Sequence, residues 1–310
     1  MLSGMLRKPR LKVAFTDEVY GLVGDGLILR ALRHAFDLEE SDQPEVVFYG
    51  EHKDAAYRRF KQAKRVYVAV ENRYPDFSQC DFAMTFLHLE DERHLRMPLY
   101  VFNSDPALML RDKNYAERVM AEKRGFCSFL VSNGSKRRTK HRIQFFQALN
   151  SRLQVASGGA VLNNLGHKVE DKLAFLPQYR FHIAFENESF PGYTTEKIAH
   201  PMMCGSIPIY WGNPDIEEEF NPRSFINAGQ FSTMEDTVNH VLKVQQDEAL
   251  QYQYLSEPCF HDNQPNCYYN IERLAAFLVR IADAPMPKRP RIHLASRWFD
   301  LKRKAAVYFK

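Results

Sequence analysis

The stretch that decides the fold is FENESFPGYTTEKIAHPMMCGSIPIYWGNP, Phe185 to Pro214. It is entered from the apolar run RFHIAF and closes on a second, SIPIYW. Both runs have the length and residue types of buried strands. Between them lie Glu186, Glu188, Glu196 and Lys197, the turn pair Pro191–Gly192, and TEKIAHPMM, which reads as a short helix. Thr194 or Thr195 can cap that helix, and Glu196 in its first turn suits the positive end of the helix dipole. Pro201 interrupts the helix and Gly205 ends it. Lys197, beside the helix start, can reach a phosphate. The alternative is an ordinary strand–loop–helix–strand with charges on its surface.

The same alternation recurs outward from this stretch. LKVAFTD (Leu11–Asp17), PEVVFYG (Pro44–Gly50) and RVYVAVEN (Arg65–Asn72) read as strands. VGDGLILRALRHAF and AAYRRFKQA between them have helical spacing, with Leu27, Leu32 and Phe36 sharing one face of the first. Such βαβ order predicts a parallel sheet, which binds ligands outside the carboxyl ends of its strands. Glu71 falls at such an end. A second alternation starts near Glu122: the strand GFCSFLVSN, the basic loop SKRRTKHR, the helix RIQFFQALNSRL, helical EDKLAFLPQY, then the opening stretch. MEDTVNHVLKVQQDEALQYQYLSE reads as one long helix and IERLAAFLVRIAD (Ile271–Asp283) as the last. The expectation is an α/β chain of two Rossmann-like domains facing a cleft, residues 1–115 and 116–285, followed by a basic tail, residues 286–310.

The chain of 310 residues is 45% apolar and 26% charged, as ordinary soluble globular proteins are. No window holds eighteen consecutive apolar residues, so no membrane-spanning helix is expected. The start, MLSGMLRKPRLKVAF, lacks the long apolar core of a signal peptide. Cys80, Cys127, Cys204, Cys259 and Cys267 are scattered and odd in number, with no CxxC. Reduced thiols of a cytosol fit better than a disulfide framework, a Cys259–Cys267 pair being the lesser alternative. The net charge of +4 is uneven, because residues 286–310 carry +7 and the remainder −3. That body is a poor match to nucleic acid.

Lys136, Arg137, Arg138, Lys140 and Arg142 gather where a helix is expected to begin. A helix N-terminus already carries partial positive charge, so cations there are unfavourable by about 0.3–1 kcal/mol each. An anion such as a diphosphate bound at that place accounts for the misfit; a solvated basic loop is the alternative. No Asp-x-Asp pair is present to hold a cation on a diphosphate. Cationic side chains can do that work, and no obligatory metal is expected.

The ordered pattern FEN, Tyr, TEK, then a Gly-x-x-Pro strand ending in Gly resembles the signature of glycosyltransferase family 10, the α1,3-fucosyltransferases. PEVVFYG, VENRYPDFSQCDFAMTF, LRMPLY, CSFLVSN and RIQFFQALN resemble further blocks of its bacterial members in the same order. The resemblance covers roughly residues 11–230 and extends toward 283. It implies a GT-B architecture with the donor GDP-fucose bound by the C-terminal half, and transfer with inversion. By motif matching, Glu71 resembles the general base and Arg142 the diphosphate-binding arginine. Asn187, Tyr193, Glu196 and Lys197 resemble donor contacts, Glu196 to fucose and Lys197 to phosphate. Ser132 and Asn133 match phosphate-side positions. Glu186 sits in the motif with either a donor-site or a structural role. Thr194 departs from a position that is often aliphatic in the family.

The implied acceptor is the 3-hydroxyl of GlcNAc in an N-acetyllactosamine-type glycan, giving a Lewis x type product on lipopolysaccharide or another surface glycan. The alternatives are an α1,4 or mixed linkage, another nucleotide-sugar donor on the same fold, or a non-catalytic RNA- or membrane-binding module. In the tail, Leu294, Trp298 and Leu301 lie on one helical stripe flanked by Arg297, Lys302, Arg303 and Lys304. Such a basic amphipathic helix suits an anionic membrane surface. It predicts a cytoplasmic protein, peripheral on the inner face of the cytoplasmic membrane. A helix packed back on the body is the alternative.

Overall fold

The computed structural model describes residues 7–16, 19, 26–50, 55–69, 71–122, 125–131, 136–286, 288–289, 294–296 and 298–299, with only the backbone of residues 136–139. The chain forms two compact units, Met1–Phe102 with Cys267–Lys310, and Asn103–Asn266.

The first unit contains β1 (Arg10–Phe15), α1 (Leu27–Ala35), β2 (Asp37–Glu40), β3 (Val46–Tyr49), β4 (Lys64–Val68), β5 (Phe82–Thr85) and β6 (His94–Arg96). The strands pair in the order β2-β1-β3-β4-β5-β6, all parallel. Strands β3 and β5 are buried at every residue, as central parallel strands covered on both faces must be. Helix α1 buries Leu27, Ile28, Ala31 and Leu32.

The second unit contains α2 (Tyr115–Glu122), β7 (Gly125–Phe129), α3 (Lys136–Asn150), β8 (Val155–Ser157), α4 (Lys172–Phe175), β9 (Tyr179–Phe185), α5 (Glu196–Met203), β10 (Ile207–Trp211), β11 (Ile226–Asn227), α6 (Met234–Gln246) and α7 (Glu248–Ser256). Its sheet has the order β11-β10-β9-β7-β8, again all parallel. Strands β9 and β10 pair from Phe181–Ile207 to Phe185–Trp211, which sets the ends of the two apolar runs side by side.

The last helix, α8 (Ile271–Asp283), rejoins the first unit rather than closing the second, so the division differs from the one drawn at 115/116 and 285/286. Helix α8 buries Leu274, Phe277, Leu278 and Ile281, packs against α1, and sets Phe277 edge-on to Phe82 of β5. Lys64 caps it by donating to the carbonyls of Ile281 and Ala282. The chain continues to Arg289, whose Nη2 donates to Asp81 Oδ2 at 2.6 Å and to the Ala63 carbonyl. Residues 294–296 and 298–299 are helical. Ser296 is buried and Phe299 packs on Tyr74, while Leu294 and Trp298 are 75% and 58% exposed. Arg297, Leu301, Lys302, Arg303 and Lys304 lie outside the described residues.

Three local expectations differ. AAYRRFKQA forms only a 3-10 turn, Ala56–Arg59, which turns Tyr57 and Phe60 into the core. The long helical stretch divides at Asp247, which ends α6 and caps α7 by accepting from Leu250 N. The basic run begins inside α3 rather than in a loop before it. All five cysteines are free thiols. Among the described residues no helix is long and apolar enough to cross a membrane.

Candidate active site

Strand β9 delivers Phe185 against Phe145 of α3, ring centroids 4.6 Å apart. Apolar packing thus fixes the strand end from which the charged loop departs. The next residue, Glu186, is fully buried, and its N–H extends the β9–β10 pairing by donating to the Trp211 carbonyl. Its carboxylate accepts from Thr195 N at 2.7 Å and from Thr195 Oγ1 at 2.9 Å. Lys197 Nζ lies 3.1 Å from Glu186 Oε2 and 2.9 Å from Thr195 Oγ1. Thr195 is also the N-cap of α5, accepting from Lys197 N. One carboxylate therefore ties the end of β9 to the start of α5. Close approach at the far side is possible only because residue 212 is glycine: a Cβ there would meet Glu186 Cγ at 2.4 Å.

Burial raises the Glu186 carboxyl, and Lys197 with the Thr195 donors opposes the rise. Burial would lower the Lys197 ammonium, but Glu186 and Glu196 outweigh it and hold Lys197 above its ordinary value. Burial likewise disfavours the Glu196 carboxylate, but Lys197 and Lys172 outweigh it and hold Glu196 below the usual range. Lys172, at the start of α4, is pushed down by burial, with Glu196 the largest opposing charge.

Arg142 of α3 is 4% exposed, and its Nε and Nη2 have no hydrogen-bond partner. Burial lowers this guanidinium, with the Glu186 carboxylate the main charge that opposes the drop. A buried cation with unmade hydrogen bonds is costly unless something else completes it. Beside it, His141 packs at a tilt on Trp211 at 4.3 Å and stacks on Phe185 at 5.5 Å, fastening this part of α3 over the ends of β9 and β10. Three cations, Arg142, Lys172 and Lys197, share the region with two carboxylates, Glu186 and Glu196. The arrangement is chemically fit for an anion with several acceptor oxygens at the N-terminus of α5.

The structure thus brings together Arg142, Glu186, Tyr193, Glu196 and Lys197, all in the second unit. Asn187 is half-buried at the start of the same loop. Glu71 belongs to the first unit, half-buried beyond the carboxyl end of β4, where its carbonyl accepts from Arg73 N at 2.7 Å. Ser132 and Asn133 lie outside the described residues. Sequence reading missed Thr195 as a carboxylate ligand, Lys172, and the buried Asn213 and Glu219 behind the loop. Only the Gly-Asn pair after SIPIYW hinted at a built turn there. Among the described residues no three His, Cys, Asp or Glu side chains converge to hold a metal ion.

Two family models match: the α-(1,3)-fucosyltransferase FucT N-terminal domain over residues 13–103, and the glycosyltransferase family 10 (fucosyltransferase) C-terminal domain over residues 120–257. The chain belongs to glycosyltransferase family 10. It is 32% identical over 260 residues to the α-(1,3)-fucosyltransferase FucT of Helicobacter pylori, an alignment covering 72% of this chain and 54% of that protein. The chain therefore spans about half the length of that curated relative. A crystal structure of an α1,3-fucosyltransferase superimposes with a TM-score of 0.78 at 28% identity, covering 94% of this chain and 95% of the other. An α1,3-fucosyltransferase crystallised with GDP-fucose superimposes with a TM-score of 0.73 at 28% identity, covering 91% and 94%. Family 10 membership accounts for the two parallel-sheet units, which have the GT-B-like fold of these glycosyltransferases.

Proposed function

We propose that the chain is an inverting α1,3-fucosyltransferase that moves L-fucose from GDP-β-L-fucose to the 3-hydroxyl of GlcNAc in N-acetyllactosamine-type glycans. The observation that carries the reading is Arg142: a buried guanidinium with two nitrogens lacking hydrogen-bond partners, within electrostatic range of the loop that bears Tyr193 and in the same charged cluster as Lys197. The 28%-identical α1,3-fucosyltransferase crystallised with GDP-fucose supports the choice of donor.

In this reading the breaking bond between fucose C1 and the diphosphate oxygen leaves growing negative charge on GDP. Arg142 and Lys197 stabilise it most in the transition state. Glu196 offers a carboxylate to the positive charge that develops on the sugar ring, and Asn187 and Tyr193 orient the donor. Single displacement needs one base on the face opposite the leaving group, and Glu71 is assigned to take the proton of the attacking hydroxyl. Ser132 and Asn133 are assigned to the phosphate side and Glu186 to holding Lys197. The exposed Leu294 and Trp298 support a tail that meets an anionic membrane surface on the cytoplasmic side, where lipid-linked or lipopolysaccharide acceptors are available.

Titration calorimetry with a panel of nucleotide sugars tests the donor. GDP-fucose should bind most tightly, and equal or tighter binding of a UDP-sugar contradicts the proposal. NMR of the product formed from type 1 and type 2 disaccharides reads the linkage, for which a 4-linked fucose would replace the α1,3 assignment.

A further inference from the structure

Asn213 follows β10 in the turn after Gly212 and is 3% exposed. Its Oδ1 accepts from Gly192 N at 2.7 Å and from Asp215 N at 2.9 Å. Its Nδ2 donates to Thr194 Oγ1 and to Glu219 Oε1, both at 3.0 Å. The amide thereby uses its full complement of two acceptor and two donor sites. Its own N–H donates to Tyr210 Oη at 2.9 Å, which anchors it to the sheet. Thr194 Oγ1 donates in turn to Glu219 Oε1 at 3.1 Å, closing a triangle of buried groups. One side chain thus grips the residues on either side of Tyr193, at a turn where Gly192 holds φ at +77°.

We propose that Asn213, backed by Glu219, is the positioning residue that holds Tyr193 in place for the donor. It touches no substrate and acts by fixing the Gly192–Tyr193–Thr194 turn beside Arg142. This rests on the reading of Tyr193 as a donor contact. The chemistry is directional: residue 213 must donate to Thr194 and Glu219 while accepting from the backbone of Gly192. Aspartate keeps the accepting oxygen but faces the Glu219 carboxylate with a second one and has no donor. Glutamine at 219 then supplies the missing donor from the opposite side and restores the charge.

The test compares Asn213→Asp, Glu219→Gln and the double variant in the full chain. GDP affinity is measured by calorimetry, donor and acceptor KM by steady-state kinetics, and amide hydrogen exchange over residues 190–196 without ligand. Asn213→Asp should weaken GDP and raise donor KM by about 10- to 100-fold, leave acceptor KM unchanged and speed exchange of the turn. The double variant should recover to within about threefold of the wild type, as coupled partners do. Wild-type GDP affinity in Asn213→Asp, or a double variant no better than it, overturns the proposal. If Asn213→Asp does not fold, Asn213→Ser is measured instead, and unaltered GDP affinity in that variant overturns it equally. If the wild-type chain binds no GDP, the fucosyltransferase reading fails on its own; exchange of the turn then decides this proposal, unaltered rates contradicting it.

Discussion

Lys197 Nζ lies 3.1 Å from the fully buried Oε2 of Glu186, and Thr195 Oγ1 bridges the two. The ammonium is thereby set at the start of α5 with its counter-charge inside the protein. Placing the carboxylate depends on Gly212. Gly212→Ala would force a Cβ to within 2.4 Å of Glu186 Cγ. We expect a loss of about 1–3 kcal/mol in stability together with weaker GDP binding. Urea denaturation and calorimetry check both, and wild-type values in each would remove the steric argument.

Glu71 is assigned chemistry rather than donor binding. Glu71→Gln keeps the shape of the side chain but cannot take a proton. Turnover should fall by about 100-fold or more while GDP affinity stays within error of wild type. Single-turnover kinetics beside calorimetry separates the two, and near-normal turnover would strip Glu71 of the role.

His94 is buried against Thr85 in the first unit, its Nε2 2.9 Å from Thr85 Oγ1. Burial lowers its pKa to about 4; Asp91 opposes the shift, and Arg96, Arg273 and His88 reinforce it. An unfolded imidazole titrates near ~6.5, so on acidification the unfolded chain takes up the proton first. The stability contributed is complete above about pH 6.5 and is lost as the pH falls toward about 4. Burial shifts His182 in the same direction. Between about pH 7 and about pH 5 the loss should be on the order of 1–2 kcal/mol for His94. His94→Gln should flatten that slope in urea titrations, and an unchanged slope would assign it elsewhere.

Arg289 and Asp81 tie the start of the tail to the first unit. Asp81 is buried, and its Oδ2 also accepts from Arg65 N. A chain ending at Pro285 leaves that carboxylate without its cation and should lose about 2–4 kcal/mol. A chain ending at Arg289 keeps the pair and gives up only the buried Ser296 and the Phe299–Tyr74 contact, so it should be more stable than the chain ending at Pro285 while its association with anionic vesicles weakens. Equal stability of the two truncated chains would show the pair to be dispensable, and undiminished vesicle sedimentation of the longer one would remove the tail from membrane binding.

The elements legible in the sequence were those whose apolar runs are long, such as Tyr179–Phe185, Ile207–Trp211 and Ile271–Asp283. Strands Asp37–Glu40 and His94–Arg96 escaped because short strands rich in charge carry no alternation. The return of α8 to the first unit was invisible, since its apolar stripe says only that it packs, not on what. In the candidate site, motif matching singled out Arg142, Tyr193, Glu196 and Lys197, which the structure gathers in the second unit. Thr195, Asn213 and Glu219 were not legible, because their roles depend on hydrogen bonds across 6 to 25 residues of chain that spacing does not reveal.

The central claim is that Arg142 is kept buried and incompletely bonded in order to receive the diphosphate. Arg142→Met removes the charge while filling the same space. Calorimetric titration of GDP into this variant and the wild type, with urea midpoints of both ligand-free proteins, reads the claim directly. The account predicts that GDP affinity falls by about 100-fold while the ligand-free variant is as stable as the wild type or more so. Unchanged GDP affinity in a destabilised variant would make Arg142 a structural residue and contradict the account.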